Sequence, residues 1–558
     1  MNKSLKENNL LIQFAIVVVA LLLFVPGLGV VHLFDWDEIN FAESAREMLI
    51  THDYLTVKVN FEPFWEKPPL FMWMQVLSMK VFGVNEFAAR FPNVIVGITS
   101  LLVLYNIGRK LKNKKFGYIW MMMYVCSLFP FFYFKSGIID PWFNLFIFLG
   151  IYYFVQFSYK ENKGNPYLQV ALSALFLGLA ILTKGPVGLL IFLLTFAIYL
   201  IFNKFKLNYN WKHVLLFAVI ITFVGCFWFV LQILNGNYRI IQDFIVYQIR
   251  LFQTKDAGHG GFLLYHFVII LVGVFPASIL ALPSFSPSVL RHEEDVKMVH
   301  FFKWMLILFW VVLILFTIVK TKIVHYSSMC YFPLTFLAAW YIDKLIEKQW
   351  KFPNYLKVIL IALAAIYGLV LTVVTLFDKF KVFLYPYVKD EFALGNMRAT
   401  AKWIGFEPLV GVLLFATTLL FCLKVSKTVN LKSFNILLLG SLFFISVCIF
   451  FVAPQVEKYS QAAAIEFYES KKGEDCYILV MNKSYAHYFY SNRLPQNKCA
   501  DDTLLIHGKI DKPCYFVVKD TRQRKVDFSK KTPEAQLLYR KNGFAFYVRK
   551  PQIYNQNK

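Results

Sequence analysis

Residues 10–31 read LLIQFAIVVVALLLFVPGLGVV, an apolar run without a single charged side chain. Wound as a helix, a stretch of this length crosses a hydrocarbon core of about 30 Å. It is too long for the apolar core of a signal peptide, and no convincing small-residue cleavage site precedes Asp35, so it reads as a retained first span. Comparable runs recur at approximately 91–108, 117–135, 141–158, 168–183, 186–203, 213–234, 262–283, 302–320, 328–345, 356–377, 407–424 and 434–453, about thirteen spans in all. No soluble fold requires so many. The expected class is therefore an all-α polytopic membrane protein.

Composition agrees with that class. The 558 residues are 58% hydrophobic, 18% aromatic and only 16% charged, where a soluble chain carries about 25% charge. Mean hydropathy is +0.54. The formal net charge of +24 would suggest a nucleic-acid partner on a soluble protein. Here much of it falls in short loops between spans, at Arg109, Lys110, Lys112, Lys114 and Lys115, at Lys204, Lys206 and Lys212, and at Lys424, Lys427 and Lys432. The positive-inside rule makes those loops cytoplasmic and places the N-terminus inside. An odd number of spans then puts the C-terminus outside. No nucleic-acid partner is expected, and the chain reads as a monomer.

With that topology the outer face receives residues 32–90, the turns at Asp140 and Lys184, 235–261, 320–327, 378–406 and the tail from 456. Two domains follow: 1–455, the membrane part with an outer amphipathic segment at 32–90, and 456–558, a small extracytoplasmic α/β domain. In the outer segment Asn40 is placed to cap a helix, with Glu43 three positions on, and Ala42, Ala45, Met48 and Leu49 form one apolar face. A second apolar stretch, Leu70 to Phe82, suits a helix lying in the interface. In the tail a helix is expected over 457–471, with strands near Cys476–Met481, Cys514–Val518 and Ala545–Arg549. Of Cys476, Cys499 and Cys514 one pair could bridge, and their spacing matches no zinc motif.

The same outer loops hold the candidate chemistry. Asp37-Glu38 stands at a helix start, where the dipole favours a carboxylate. A plain capping role is the commoner fate of such an aspartate, and Asp35 competes with it. Asp140 opens an apolar run, and an ionisable group there is costly to bury without a purpose. Glu66-Lys67-Pro68-Pro69 sets an acid and a base on a stiff backbone. Lys184 lies between two spans, where it either snorkels to the interface or holds a phosphate. His259 sits in a glycine-rich outer loop and is either solvated or a metal ligand. Lys322, His325 and Tyr326 form one more cluster. Together these residues suit an enzyme acting on an anionic, membrane-borne substrate.

Asp37-Glu38-x-x-Phe41-Ala42, Ala45-Arg46-Glu47-Met48-Leu49, Glu66-Lys67-Pro68-Pro69-Leu70 and Phe87-Ala88-Ala89-Arg90-Phe91-Pro92 resemble the N-terminal half of the bacterial lipid A aminoarabinose transferases. Those enzymes are related to protein O-mannosyltransferases and share the GT-C membrane glycosyltransferase fold. Asp140-Pro141, Thr183-Lys184-Gly185-Pro186, Gly258-His259 and Lys322-x-x-x-Tyr326 follow in the family's order. Phe41 stands where the family often has tyrosine, and the loop after His259 lacks its usual proline-aromatic run. The resemblance implies an inverting transfer of an aminoarabinose-like pentose or a hexose from a polyprenyl-phosphate carrier, such as undecaprenyl phosphate. The acceptor would be lipid A or another envelope molecule at the outer face of the bacterial inner membrane. Asp37 and Asp140 would be catalytic; Lys67, Tyr326, Arg46 and Lys184 would bind the lipid phosphate. Glu66 and His259 would hold a zinc-like divalent metal, and no nucleotide cofactor is implied. A protein O-glycosyltransferase of the same fold is the alternative acceptor reading. A lipid or glycan transporter (a flippase) is the alternative of another class, against which stands the absence of an internal repeat.

Overall fold

In the computed structural model the described residues are 3–64, 66–159, 161, 164–206, 210–254 and 260–551. Helices cover most of the apolar runs; the first, Lys3–Phe24, stops at Phe24, so residues 25–31 of the expected first span form turns instead. Among the described residues seven are both long and apolar enough to cross a membrane: Glu86–Leu111, Pro166–Lys184, Trp211–Leu234, Val296–Ile318, Asn354–Thr375, Glu407–Lys427 and Leu431–Glu457. Their burial separates centre from periphery. Glu86–Leu111 is 61% buried over its most apolar window, whereas Trp211–Leu234 is 17% buried and shows Val214, Val219, Phe223 and Val230 outward. A helix apolar all round yet exposed along most of its length suits lipid rather than water.

Two expected spans are interrupted. Residues 117–135 divide into helices Lys114–Val125 and Leu128–Tyr133 at Ser127, whose hydroxyl donates back to the Met123 carbonyl. Residues 262–283 divide into Tyr265–Gly273 and Ala277–Leu280, because Pro276 has no amide proton to continue the ladder. The turn expected at Lys184-Gly185-Pro186 is present. Helix Pro166–Lys184 ends on Gly185, at φ +92°, and Val187–Phe202 begins after Pro186. Close packing elsewhere relies on absent side chains: a Cβ on Gly108 would meet the Gly117 Cα at 2.7 Å, which is how Glu86–Leu111 and Lys114–Val125 lie against each other.

The outer segment is built from helices Asp37–Thr51 and Leu70–Phe82, with a two-stranded ribbon, Lys58–Val59 and Glu62–Pro63, between them. The first of these helices begins earlier than expected. Trp36 is its N-cap, and Asn40 lies inside it, buried, so the expected cap at Asn40 is not formed. Glu43 pairs with Arg46 rather than reaching back to a cap.

The tail carries a four-stranded sheet in the order Tyr477–Val480, Cys514–Lys519, Phe544–Arg549, Gln536–Lys541. The first pair is parallel and the others antiparallel. Its leading helix is Ala462–Ser470, shorter than the expected 457–471 because the last span runs on to Glu457 and a turn at 458–461 divides the two. Cys476, Cys499 and Cys514 are all free thiols, so the bridge considered from sequence is not formed. Ala463, Ile465, Phe467 and Phe546 share a buried cluster with Ile39, Ala42, Met48 and Phe71. The tail is thus docked on the outer segment, at the end of the bundle where the candidate residues gather.

Candidate active site

Four chain segments meet at one point. Helix Asp37–Thr51 supplies Asp37 from its first turn, and helix Asp140–Ser158 supplies Asp140 from its own. Helix Pro166–Lys184 ends on Lys184, where the C-terminal dipole favours a cation. The 3₁₀ turn Val324–Cys330 supplies His325 and Tyr326. Lys184 Nζ lies 2.6 Å from Asp140 Oδ1, and His325 Nε2 lies 3.3 Å from Asp37 Oδ2 and 3.9 Å from Asp140 Oδ2. One imidazole nitrogen therefore faces both carboxylates.

The two acids are not equivalent. The Asp140 side chain is 4% exposed and pinned by Lys184, whereas that of Asp37 is 38% exposed. Only Asp37 can meet an incoming group. Burial pushes the His325 imidazole below its ordinary range, Lys184 and Lys67 push the same way, and Asp140 and Asp37 oppose them only in part. His325 is accordingly neutral near pH 7, able to donate one N–H to an acid.

Asp140 and Lys184 form one side of a cleft whose head also includes Lys67, Asn144 and Tyr326. Val187, Ile191, Leu251, Phe316, Val319 and Met329 continue it as an apolar wall. Lys67 Nζ stands 4.9 Å over the Tyr247 ring, the Arg250 guanidinium is 5.2 Å from the same ring, and the Tyr247 hydroxyl donates to Glu66 at 3.1 Å. Lys184 Nζ is 5.3 Å from the Tyr326 ring. Burial lowers the Lys67 ammonium below its usual range, and Lys184 adds to that, against the pull of Glu66, Asp37 and Asp140. A desolvated ammonium at the head of an apolar groove suits a phosphate joined to a hydrocarbon chain.

Of the residues expected from sequence, the structure gathers Asp37, Asp140, Lys67, Lys184 and Tyr326, with Glu66 reaching the same group through Tyr247. It does not bring Arg46 there. Arg46 is 1% exposed, holds Glu43 at 2.7 and 2.6 Å, and donates to Asn492 Oδ1 and the Arg493 carbonyl. Its charge is satisfied inside the contact with the tail, not at a phosphate. Asp35 also faces the tail and accepts from the Tyr485 amide at 3.2 Å. Lys322 donates to the Phe316 and Thr317 carbonyls and closes the end of helix Val296–Ile318. His259 lies outside the described residues.

Sequence reasoning gave His325 too little weight and missed Tyr247 and Arg250. A lone loop histidine carries no periodic signal. Tyr247 and Arg250 sit on helix Tyr238–Gln253, which was read only as outer loop, although its apolar residues alternate with polar ones at helical spacing.

The sequence profile of the family described as dolichyl-phosphate-mannose-protein mannosyltransferase matches residues 66–228. A protein of Aquifex aeolicus is 28% identical over 334 residues, 59% of this chain and 73% of its own length. An undecaprenyl phosphate-alpha-4-amino-4-deoxy-L-arabinose arabinosyl transferase of Wigglesworthia glossinidia brevipalpis is 25% identical over 388 residues, 68% of this chain and 67% of its own length. The counterpart in Shewanella sediminis is matched over 60% of its length. In structure the chain is similar to ArnT from Cupriavidus metallidurans bound to undecaprenyl phosphate, with a TM-score of 0.75 at 17% identity over 96% of this chain and 97% of that one. The chain is ArnT-like in sequence and has the GT-C glycosyltransferase fold of a multi-pass membrane protein.

Proposed function

We propose that this chain is an inverting glycosyltransferase of the bacterial cytoplasmic membrane. It moves a sugar, an aminoarabinose-like pentose or a hexose, from a polyprenyl-phosphate carrier to lipid A or another envelope acceptor at the outer face. The observation that carries this reading is the meeting of Asp37, His325 and Asp140 beside the cationic head of an apolar cleft. The relatives' names support the carrier: several act on an undecaprenyl-phosphate-linked aminoarabinose. Basic loops at Arg109–Lys115 and Lys424–Lys432 support a cytoplasmic N-terminus, with the site and tail outside.

In the proposed reaction an acceptor oxygen attacks the sugar's anomeric carbon from the face opposite the phosphate. The bond from that carbon to the phosphate oxygen breaks, and the lipid phosphate leaves with the electron pair. Lys67 meets its growing negative charge, and Lys184 and Tyr326 line the same head. Where the acceptor is a hydroxyl, its proton passes to Asp37, held in direction by the His325 N–H. A phosphate acceptor is already ionised and needs only orientation. Asp140, fixed by Lys184, faces the same imidazole nitrogen at 3.9 Å and helps to orient it. Glu66 with His259 is the proposed pair for a divalent ion. Glu66 is the one ligand of that pair within the described residues, and no step of the reaction above runs through a metal.

Acceptance of a protein hydroxyl is a second reading, supported by the description of the family matched over 66–228. The donor half of the proposal is tested by binding undecaprenyl phosphate to the purified, detergent-held chain and to Lys67→Ala, read by native mass spectrometry. Losing a charge-assisted contact of about 1.5–3 kcal/mol should weaken binding at least roughly 10-fold. Undiminished binding in Lys67→Ala would move the phosphate away from this cleft.

A further inference from the structure

Away from the cleft, where the first span gives way to the tail, four side chains from four segments converge. His32 follows the first span, Glu86 opens helix Glu86–Leu111, Glu457 closes helix Ala453–Glu457, and Glu469 lies on helix Ala462–Ser470. His32 Nδ1 is 2.6 Å from Glu457 Oε1, while Nε2 faces Glu469 Oε1 at 3.8 Å. One ligand atom each from His32, Glu86 and Glu469 lies within 4.8 Å of the others. Among the described residues no lysine or arginine comes within ion-pair distance of any of the three glutamates, although the chain carries a net charge of +24.

The arrangement has a direction. Glu457 is 5% exposed and occupies the Nδ1 edge of the ring. A carboxylate on one ring nitrogen fixes the proton there and turns the lone pair of the other nitrogen outward, the arrangement that accompanies nearly every metal-bound histidine. That nitrogen faces Glu469 Oε1 at 3.8 Å, and a carboxylate oxygen of Glu86 completes the group within 4.8 Å. We infer that His32, Glu86 and Glu469 form a divalent-metal site of the zinc class, oriented by Glu457. An imidazole nitrogen disfavours calcium and magnesium, which take oxygen ligands. Bonds of about 2.0–2.2 Å require the three ligand atoms to close up, and the Glu469 side chain, 48% exposed, is free to make that movement.

The ion would clasp the tail to the segment that presents Asp37. The His32 carbonyl accepts from Arg90 at 2.9 Å, and Arg90 grips Glu38, next to Asp37, through Nε and Nη2 at 3.0 and 2.9 Å. The Leu33 amide donates to the Tyr490 hydroxyl at 2.6 Å, and the Tyr490 ring stands edge-on to His32. A metal held here would stiffen the docking of the tail, and through Arg90 the first turn of the helix that carries Asp37.

The test uses the full-length chain in detergent, stripped with a chelator and titrated with zinc. Bound zinc is counted by elemental mass spectrometry, and thermal unfolding is followed in parallel. The chain should bind about one equivalent at this site, and Tm should rise with zinc because the ion binds the folded state. The Glu86→Gln/Glu469→Gln double variant, which removes two ligands at the surface without emptying the core, should lose that equivalent and the rise in Tm. Glu457→Gln should weaken binding roughly 10–100-fold. Glu66→Gln, measured alongside, should keep this zinc, which separates it from any ion held near the cleft. Equal zinc content and an equal Tm response in the chain and the double variant would overturn the inference and leave His32–Glu457 as an ion pair.

Discussion

His325 lies between two carboxylates that differ in exposure, and that difference assigns their roles. Asp37 is open enough to meet an acceptor, and Asp140 is closed off and held by Lys184. Because burial keeps the imidazole below its ordinary range, it is neutral at working pH and donates to Asp37. Once protonated it would hold Asp37 as an ion pair and weaken it as a base. Transfer to a hydroxyl should therefore fall on the acid side, below the ordinary histidine range. His325→Gln keeps a donor for Asp37 but cannot titrate, so it should retain most of the rate at neutral pH and lose that acid limb. His325→Ala should lower kcat on the order of 100-fold, the low end of what acid–base groups contribute, because Asp37 itself remains. A limb unchanged in His325→Gln would assign it to another group. Single residues of this kind are the least legible in a sequence: Asp37, Asp140 and Lys67 stand out beside helix starts and prolines, whereas His325 acquires meaning only from what surrounds it.

Helix Asp37–Thr51 illustrates what an element adds. Its Glu43, Arg46 and Glu47 are all buried; the guanidinium pairs with Glu43, and Glu47 feels the charge of both. Burial and then the charge of Glu43 raise the Glu47 carboxyl to about 9, against the Phe61 amide and Arg46. The folded state thus prefers Glu47 protonated. Its contribution is fully present below the ordinary glutamate range near 4.5 and is lost as pH climbs towards 9. Glu47→Gln, a permanent stand-in for the neutral acid, should leave Tm unchanged at pH 4 and raise it by a few degrees, on the order of 2–4 °C, at pH 8.5. A flat difference across pH would contradict the assignment. Elements were read well from sequence where periodicity was long and poorly where local chemistry decides. Asn542 and Gly543, at φ 44° and 83°, form the tight turn that joins Gln536–Lys541 to Phe544–Arg549. That asparagine-glycine pair was a hairpin signal, but the exposed, half-polar strand before it offered no apolar alternation.

At the scale of the molecule, the tail and the outer segment form one body around Arg46, which ties Glu43 to Asn492 and Arg493. Arg46→Gln would leave a buried carboxylate without its partner and should cost about 3–5 kcal/mol of stability. Donor affinity in the protein that remains folded should be unchanged, since the guanidinium does not reach the cleft. Weakened lipid-phosphate binding with unaltered Tm would restore Arg46 to the phosphate site. The overall plan, apolar spans with chemistry collected at one end, was legible because lipid demands long apolar runs. The docking of the tail was not, because contacts such as Arg46–Asn492 and Leu33–Tyr490 join residues more than 400 positions apart. The central claim is that Asp37 drives transfer of a sugar from a lipid carrier. It is tested most directly by mass spectrometry of envelope lipids and glycoproteins from cells with the intact gene, without it, and with Asp37→Asn at equal membrane abundance. The account predicts one sugar-sized mass missing in both defective strains, from lipid A first. A sugar retained in Asp37→Asn but missing without the gene, or no glycan change in either strain, would contradict it.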